Sequence, residues 1–456
     1  MPRVCSELMG IAVTRVACGA KHCAAVSDLG GLYTWGDGEC GQLGHGDKRS
    51  LKMRRPVMFA RRAGGGDART LRGGGVQCAV RGYKGVECAG VACGRAHTIA
   101  VDRDGVLYAF GSDNFGQCGL GPRPRPAGTR GDGGDDADDD ADCVLDPRDA
   151  MGCVTSPTAL APPPVTPVTS VTAAADARPA WSVVACGEAH SVALTTRGVP
   201  FSWGSAEDGR LGVCTEASWP AARAETVVCA PRCVTLGAAP AVMVDTGDAF
   251  TAFVDRDGGL WGCGANWRGQ LGLDPSIDEV ITPTPLLAHV GEGVMSVACG
   301  ADHMAAIDYS GRLWTWGGHG VNGGGTTSGT TSVPTRVELP ADDVDDAAHG
   351  DGAACVLVAC GAGVTIAVSD GGGAYTWGNG RGGRLGLADG ELSHDTPQRL
   401  EALSTPSVRV MAVACGKGVS AGLDEAPAVL TLAEPEAPEA FSEQFNRFFR
   451  ESHELG

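Results

Sequence analysis

The chain has no apolar run approaching the ~20 residues that a membrane-crossing helix needs, and no secretory leader is recognisable at its start. A membrane location and an oxidising compartment are therefore not expected, and the 19 cysteines read as reduced thiols of the cytoplasm or nucleus. Positive charge is also short. There are 36 Lys and Arg against 54 Asp and Glu, a formal net charge of −18. A surface of that sign repels phosphate backbones, which argues against nucleic acid as a partner. No P-loop, HExxH or GxSxG pattern occurs, so the usual signatures of phosphate-loop, zinc-peptidase and α/β-hydrolase chemistry are missing. Cys229 and Cys233 lack the second ligand pair of a zinc site. No catalytic, cofactor-binding or metal-binding residue is assigned.

What the chain has in abundance is glycine, 70 residues of it, in a fixed frame. Taking Gly19 as zero, further glycines stand at +11, +17, +22 and +25, namely Gly30, Gly36, Gly41 and Gly44. The frame recurs from Gly94, Gly187, Gly247, Gly300 and Gly361, with one miss at Asn322. The +17 members are Gly111, Gly204, Gly264, Gly317 and Gly378. A rigid unit joined by connectors of uneven length marks a repeat architecture. Within each unit, alternating apolar runs are bounded by Gly and Asp. This patterning predicts strand, turn, strand, with the +11 glycine in the hairpin turn.

Large apolar residues fill +14 and +16: Tyr33/Trp35, Tyr108/Phe110, Phe201/Trp203, Trp261/Cys263, Trp314/Trp316 and Tyr375/Trp377. Two positions apart on a strand is one face. One hairpin cannot bury such a face alone, but stacked neighbours can. A degraded seventh copy starts at Gly416, with Leu430 and Leu432 at the strand positions and Ala433 replacing the +17 glycine. Connectors such as Pro334–Val337 and Pro397–Leu400 carry a Pro followed by a strand, and Pro2–Leu8 resembles them. The chain thus starts and ends within a repeat. The expected fold is all-β: a seven-bladed β-propeller over residues 1–433, its last blade closed by the N- and C-terminal segments. Repeat cores start near residues 16, 91, 184, 244, 297, 358 and 413.

These motifs resemble the regulator of chromosome condensation repeat family. The carrying residues are the VACG-x-x-H leads at Val16–His22, Val91–His97, Val184–His190 and Val297–His303, the LYTWG strand at Leu32–Gly36, and the GQLG tails at Gly41–Gly44 and Gly269–Gly272. The resemblance spans roughly residues 2–433 and implies a seven-bladed propeller. It implies diverse functions: nucleotide exchange on a small nuclear GTPase with chromatin binding, ultraviolet-B sensing in a plant branch, propeller modules of ubiquitin ligases, and adaptors. The photoreceptor branch carries tryptophans in a GWRHT-like motif. The corresponding stretches here, such as GAKHC, GRAHT and GEAHS, contain none, which argues against light sensing by that route.

Other features read as structural. Three G-x-G-x-x-G matches, at Gly36–Gly41, Gly318–Gly323 and Gly378–Gly383, are by-products of the repeat, because no helix pattern follows them. His22, His97, His190 and His303 share the +3 position. Equivalent positions spread around a ring, so each is expected to be satisfied within its own blade rather than to converge with the others. A basic cluster from Lys48 to Arg62 reads as a solvated connector facing the Asp run at Gly131–Asp142, with a nuclear-import patch or a site for an acidic partner as the alternative. That insertion, at about 122–178, holds the Asp run Gly131–Asp142 and a Pro/Thr/Ala stretch, and is expected to be disordered. In the tail, 434–456, Phe441, Phe445, Phe448 and Phe449 fall on one helical stripe behind Pro438. A short C-terminal amphipathic helix is expected there, either docking on the propeller or binding a partner. The functional expectation is a non-enzymatic interaction scaffold whose partners are proteins. The alternative is a guanine-nucleotide exchange factor for a small GTPase, which needs no catalytic side chain.

Overall fold

A computed structural model describes residues 13–56, 86–122, 149, 151–160, 180–213, 226–286, 293–318, 323, 331–340, 353–381, 384–387, 392–400, 410 and 413–416. They form six four-stranded antiparallel sheets, and no α-helix occurs among them. Each sheet is one repeat in chain order. Blade 1 runs Val13–Cys18, His22–Ser27, Leu32–Gly36 and Leu51–Pro56. The first strands of blades 2 to 6 are Cys88–Cys93, Trp181–Cys186, Ala241–Thr246, Val294–Cys299 and Cys355–Cys360. First strands of successive blades touch one another, so they line the axis.

The architecture is the expected all-β propeller. Six blades are seen among the described residues, where seven were expected. Most of the seventh repeat lies outside that set, and so do the acidic run, Phe441, Phe445, Phe448 and Phe449. No C-terminal helix is supported. At the axis, a Cβ on Gly361 would meet the Gly416 carbonyl at 2.5 Å, and one on Gly416 would meet the Gly19 carbonyl at 2.5 Å. Gly416 therefore stands between the sixth and first blades.

The core lies between blades. Phe250, Ala252 and Val254 of blade 4 pack with Val297, Met304 and Trp316 of blade 5, and Trp181 and Trp203 of blade 3 join the cluster that holds Ile99 and Phe110 of blade 2. Of the aromatic pairs, the +16 member is sealed: Trp203, Trp316 and Trp377 are buried, and Trp35 nearly so. In blades 4 and 5 the +14 member, Trp261 and Trp314, is only half-buried, and its polar tip finds the +8 carboxylate. Trp261 Nε1 donates to Asp255 at 2.7 Å and Trp314 Nε1 to Asp308 at 3.1 Å. The other oxygen of each carboxylate takes the +12 backbone N–H, from Gly259 at 2.7 Å and Arg312 at 2.9 Å. This clamps the hairpin whose +11 glycine has positive φ, +80° at Gly258 and +75° at Gly311.

Candidate functional site

The repeat motifs join neighbouring blades. His22 Nε2 lies 2.8 Å from Thr98 Oγ1 of blade 2, and His97 Nε2 lies 2.9 Å from Ser191 Oγ of blade 3. His190 meets Thr251 at 3.1 Å and His303 meets Thr365 at 3.0 Å. Thr98 donates to the Gln42 carbonyl, Ser191 to that of Gln117 and Thr251 to that of Arg210, at 2.7–2.8 Å. Each of these hydroxyls has spent its proton, so in these three joints the histidine donates from Nε2. The expectation that each histidine is satisfied within its own blade is corrected: the latch crosses the joint. Burial pushes His22 down to about 4, against the opposing pull of Asp37, and burial alone pushes His303 to about 4. Both are held neutral.

The same carbonyls belong to the loops between third and fourth strands, and these loops build one face of the ring. In the GQLG tail, Gln42, Gln117 and Gln270 turn their side-chain oxygens back to the N–H two residues earlier, each at 2.8 Å. The +22 glycines lie against the next blade's fourth strand. A Cβ on Gly41 would meet Val154 O at 2.8 Å, on Gly116 the Cys229 Cα at 2.9 Å, and on Gly209 the Ile281 Cα at 2.6 Å. The loops of blades 2, 3 and 4 are thereby tied edge to edge.

That continuous rim exposes apolar groups. Phe115 is 46% exposed, Trp267 53% and Ile277 40%. Trp267 and Ile277 are brought to one loop by Asn266, which donates to the Ile277 carbonyl at 2.7 Å and accepts from Leu271 N at 3.0 Å. The same loops carry carboxylates: Glu207 and Asp208 in that of blade 3, Asp274 and Asp278 in that of blade 4. Asp208 has the one non-glycine positive φ among the described residues, +58°, and the nearly buried Arg210 holds it at 2.5 Å. Ser276, through its hydroxyl and its backbone N–H, keeps the Asp274 carboxyl below its ordinary range. An acidic rim with exposed aromatic faces suits a cationic segment, through charge and cation–π contact. Among the described residues, no group of three or more His, Cys, Asp and Glu could hold a metal.

Models of the regulator of chromosome condensation (RCC1) repeat match residues 30–61, 257–307 and 371–423, and a second form matches 13–42, 88–117 and 294–323. The chain carries RCC1 repeats. The chain is 26% identical to the Ultraviolet-B receptor UVR8 of Arabidopsis thaliana, over 88% of this chain and 73% of that one. It is 24% identical to the mitochondrial RCC1 domain-containing protein RUG3 of the same plant, over 85% and 70%. Its likeness to the mouse serine/threonine-protein kinase Nek9, 27% over 84% of this chain, covers 33% of the kinase chain. Human WBSCR16 shares the fold with a TM-score of 0.64 at 21% identity, covering 89% of this chain and 85% of that one. Prp20p of Saccharomyces cerevisiae does so at 0.62 and 19%, covering 89% and 80%.

Within this RCC1-repeat ring, the glycines and tryptophans singled out in the sequence occupy joints and turns, not a pocket. The rim formed by Phe115, Trp267 and Ile277 was not foreseen. One signal was available: Phe115 and Trp267 are large aromatics at +21 and +20, positions where other copies carry Cys40 and Glu207.

Proposed function

We propose that this RCC1-repeat propeller is a non-catalytic protein-interaction module, and that the rim of blades 2–4 formed by the third-to-fourth-strand loops binds a basic protein segment. The observation that carries the reading is the exposure of Trp267 and Ile277 in one loop, which Asn266 closes and which also carries Asp274 and Asp278. Apolar anchors ringed by charge fit a partner that brings lysine or arginine stems to the tryptophan face. We further infer that the ring closes with a seventh blade shared by both ends of the chain. The place of Gly416 between Gly361 and Gly19 supports this.

The test is fluorescence anisotropy with labelled Lys/Arg-rich and Asp/Glu-rich peptides of matched length. The basic peptide binds, weakens as salt rises, and loses roughly tenfold in affinity with Trp267→Ala. Equal binding of both peptides, or indifference to Trp267→Ala, would sink the proposal. The rival function is nucleotide exchange. Prp20p, which binds Gsp1p and histones, offers only a likeness of fold for it. Accelerated release of fluorescent GDP from a panel of small GTPases would establish that reading instead.

A further inference from the structure

In every described blade the last residue of the first strand pairs directly with +4 on the second strand. The pairs are Cys93 with Thr98, Cys186 with Ser191, Thr246 with Thr251, Cys299 with Met304 and Cys360 with Thr365. Blade 1 alone among them sets thiol against thiol, Cys18 opposite Cys23, with the sulfurs 3.6 Å apart. The next residue, Gly19, donates its N–H to the His22 carbonyl at 2.8 Å. By the alternation of an antiparallel ladder, Cys18 and Cys23 are therefore a non-hydrogen-bonded pair, where Cα atoms approach to about 4.5 Å. That lies inside the ~4.4–6.8 Å span a disulfide tolerates. Rotation about the two side-chain torsions closes the remaining gap. Both residues are half-buried, within reach of a small reagent.

The exception has a reason in the repeat. In blades 2, 3, 4 and 6 a Ser or Thr at +4 receives the histidine latch of the preceding blade, and in blade 5 Met304 stands opposite Phe250. The copy preceding blade 1 around the ring has Val419 at the histidine position, so the hydroxyl has no latch to receive and a thiol stands there instead.

We propose that Cys18 and Cys23 are a modification site, a dithiol that a small-molecule disulfide such as oxidised glutathione converts to a cross-strand disulfide. Cys23, as thiolate, attacks one sulfur of the oxidant and expels the first thiolate. Cys18 then attacks the Cys23 sulfur of the mixed disulfide and expels the second. One protein S–S bond forms, one oxidant S–S bond breaks, and the two thiol protons end on the released thiols. The side-chain contact with Cys23, together with burial, stabilises the protonated Cys18 and pushes its thiol up, which leaves the first attack to Cys23. The carbonyl of the adjacent Gly19 meets Gly416, so the bond would form beside the seam where the chain's ends approach.

The test is peptide mapping of the intact, folded protein after exposure to oxidised glutathione and blocking of residual thiols with N-ethylmaleimide. Lys21 lies between the two cysteines, so trypsin places them on separate peptides, 16–21 and 22–48. The expected result is a linked pair of these peptides that a phosphine reductant separates. The link is absent from Cys18→Ser and Cys23→Ser and kept in Cys40→Ser, since Cys40 shares the second peptide. Cys18 recovered as a maleimide adduct or a persistent glutathione adduct would overturn the proposal. So would Cys18 linked to its neighbours Cys93 or Cys415, or to Cys40.

Discussion

The joint between blades 2 and 3 and the joint between blades 4 and 5 solve one packing problem with different chemistry. In the first, His97 reaches Ser191, Ser191 donates to the Gln117 carbonyl, and Trp203 Nε1 donates to that same oxygen at 2.9 Å. In the second, Phe250 replaces the histidine and Met304 replaces the hydroxyl. Trp316 packs beside them with its Nε1 lacking a hydrogen-bond partner. Geometry survives the exchange because both rings cover the same glycine: a Cβ on Gly94 would overlap the His97 ring, and one on Gly247 the Phe250 ring. The backbone sets the joint, and the two side chains across it need only agree with each other. Polar meets polar, or apolar meets apolar, since a mismatch would leave a buried group unsatisfied.

Acid divides histidine joints from the apolar one most sharply. Burial pushes His22, in the joint between blades 1 and 2, and His303, in the joint between blades 5 and 6, down to about 4 from the ordinary 6.5. Between those values the unfolded chain binds more protons, so their contribution is complete above about pH 6.5 and is lost as pH falls toward 4. Each contributes on the order of 3 kcal/mol in full, of which roughly 2 is gone by pH 5. Urea midpoints followed by tryptophan fluorescence at pH 7 and pH 5 should show the loss, and His303→Val with Thr365→Val should shrink it. The Phe250–Met304 joint holds no titrating group. A midpoint unchanged between pH 7 and pH 5 would mean the histidines are not held neutral.

Gly94→Ala and Gly247→Ala probe what the joints share. Each substitution drives a methyl into a buried ring, so each should cost about 3 kcal/mol, read as comparable drops in midpoint. A large cost at one site alone would show that the joints differ in backbone as well as in side chains. Next comes conversion of the apolar joint. Phe250→His alone should cost about 2–3 kcal/mol, because its N–H faces a thioether. Adding Met304→Thr should return about 1–2 kcal/mol of that in a double-mutant cycle. Additive costs would refute the matching rule.

How much of this was legible in the sequence differs by level. The glycine frame and the +14/+16 alternation carried the blade, because strand periodicity and positive-φ turns are local properties. Gly30 and Gly258, at the same offset, have φ of +77° and +80°. The histidine latch was not legible at one position, since its partner lies 61–94 residues away in the next copy. It was written in the chain as a correlation: His at +3 goes with Ser or Thr at +4 of the following copy, while Phe250 goes with Met304. The rim was harder still. Trp267 and Ile277 are ten apart with no shared period, and the loop that brings them together is closed by Asn266, through its side chain to the Ile277 carbonyl and its backbone N–H to that of Asp278. The Asp run expected beside the basic cluster lies outside the described residues; Lys48 of that cluster pairs with Asp149 at 2.5 Å. The acidic run, the tail phenylalanines and most of the seventh repeat lie outside the described residues.

The finest test of the comparison removes one indole N–H from each joint. Trp203→Phe deletes a donor whose acceptor, the Gln117 carbonyl, keeps Ser191 as a second donor, so the loss should be modest. A smaller ring also leaves a small void in both joints, a cost common to the two variants. Trp316→Phe takes away a buried N–H that has no partner to lose, which offsets part of that void. Trp203→Phe should therefore be the more destabilising of the two by about 1 kcal/mol, measured as a difference in urea midpoints at constant slope. Equal losses would mean that the Gln117 bond adds nothing beyond packing. A larger loss at Trp316 would mean that its N–H finds a partner in solution, and the apolar joint would then be more polar than its residues imply.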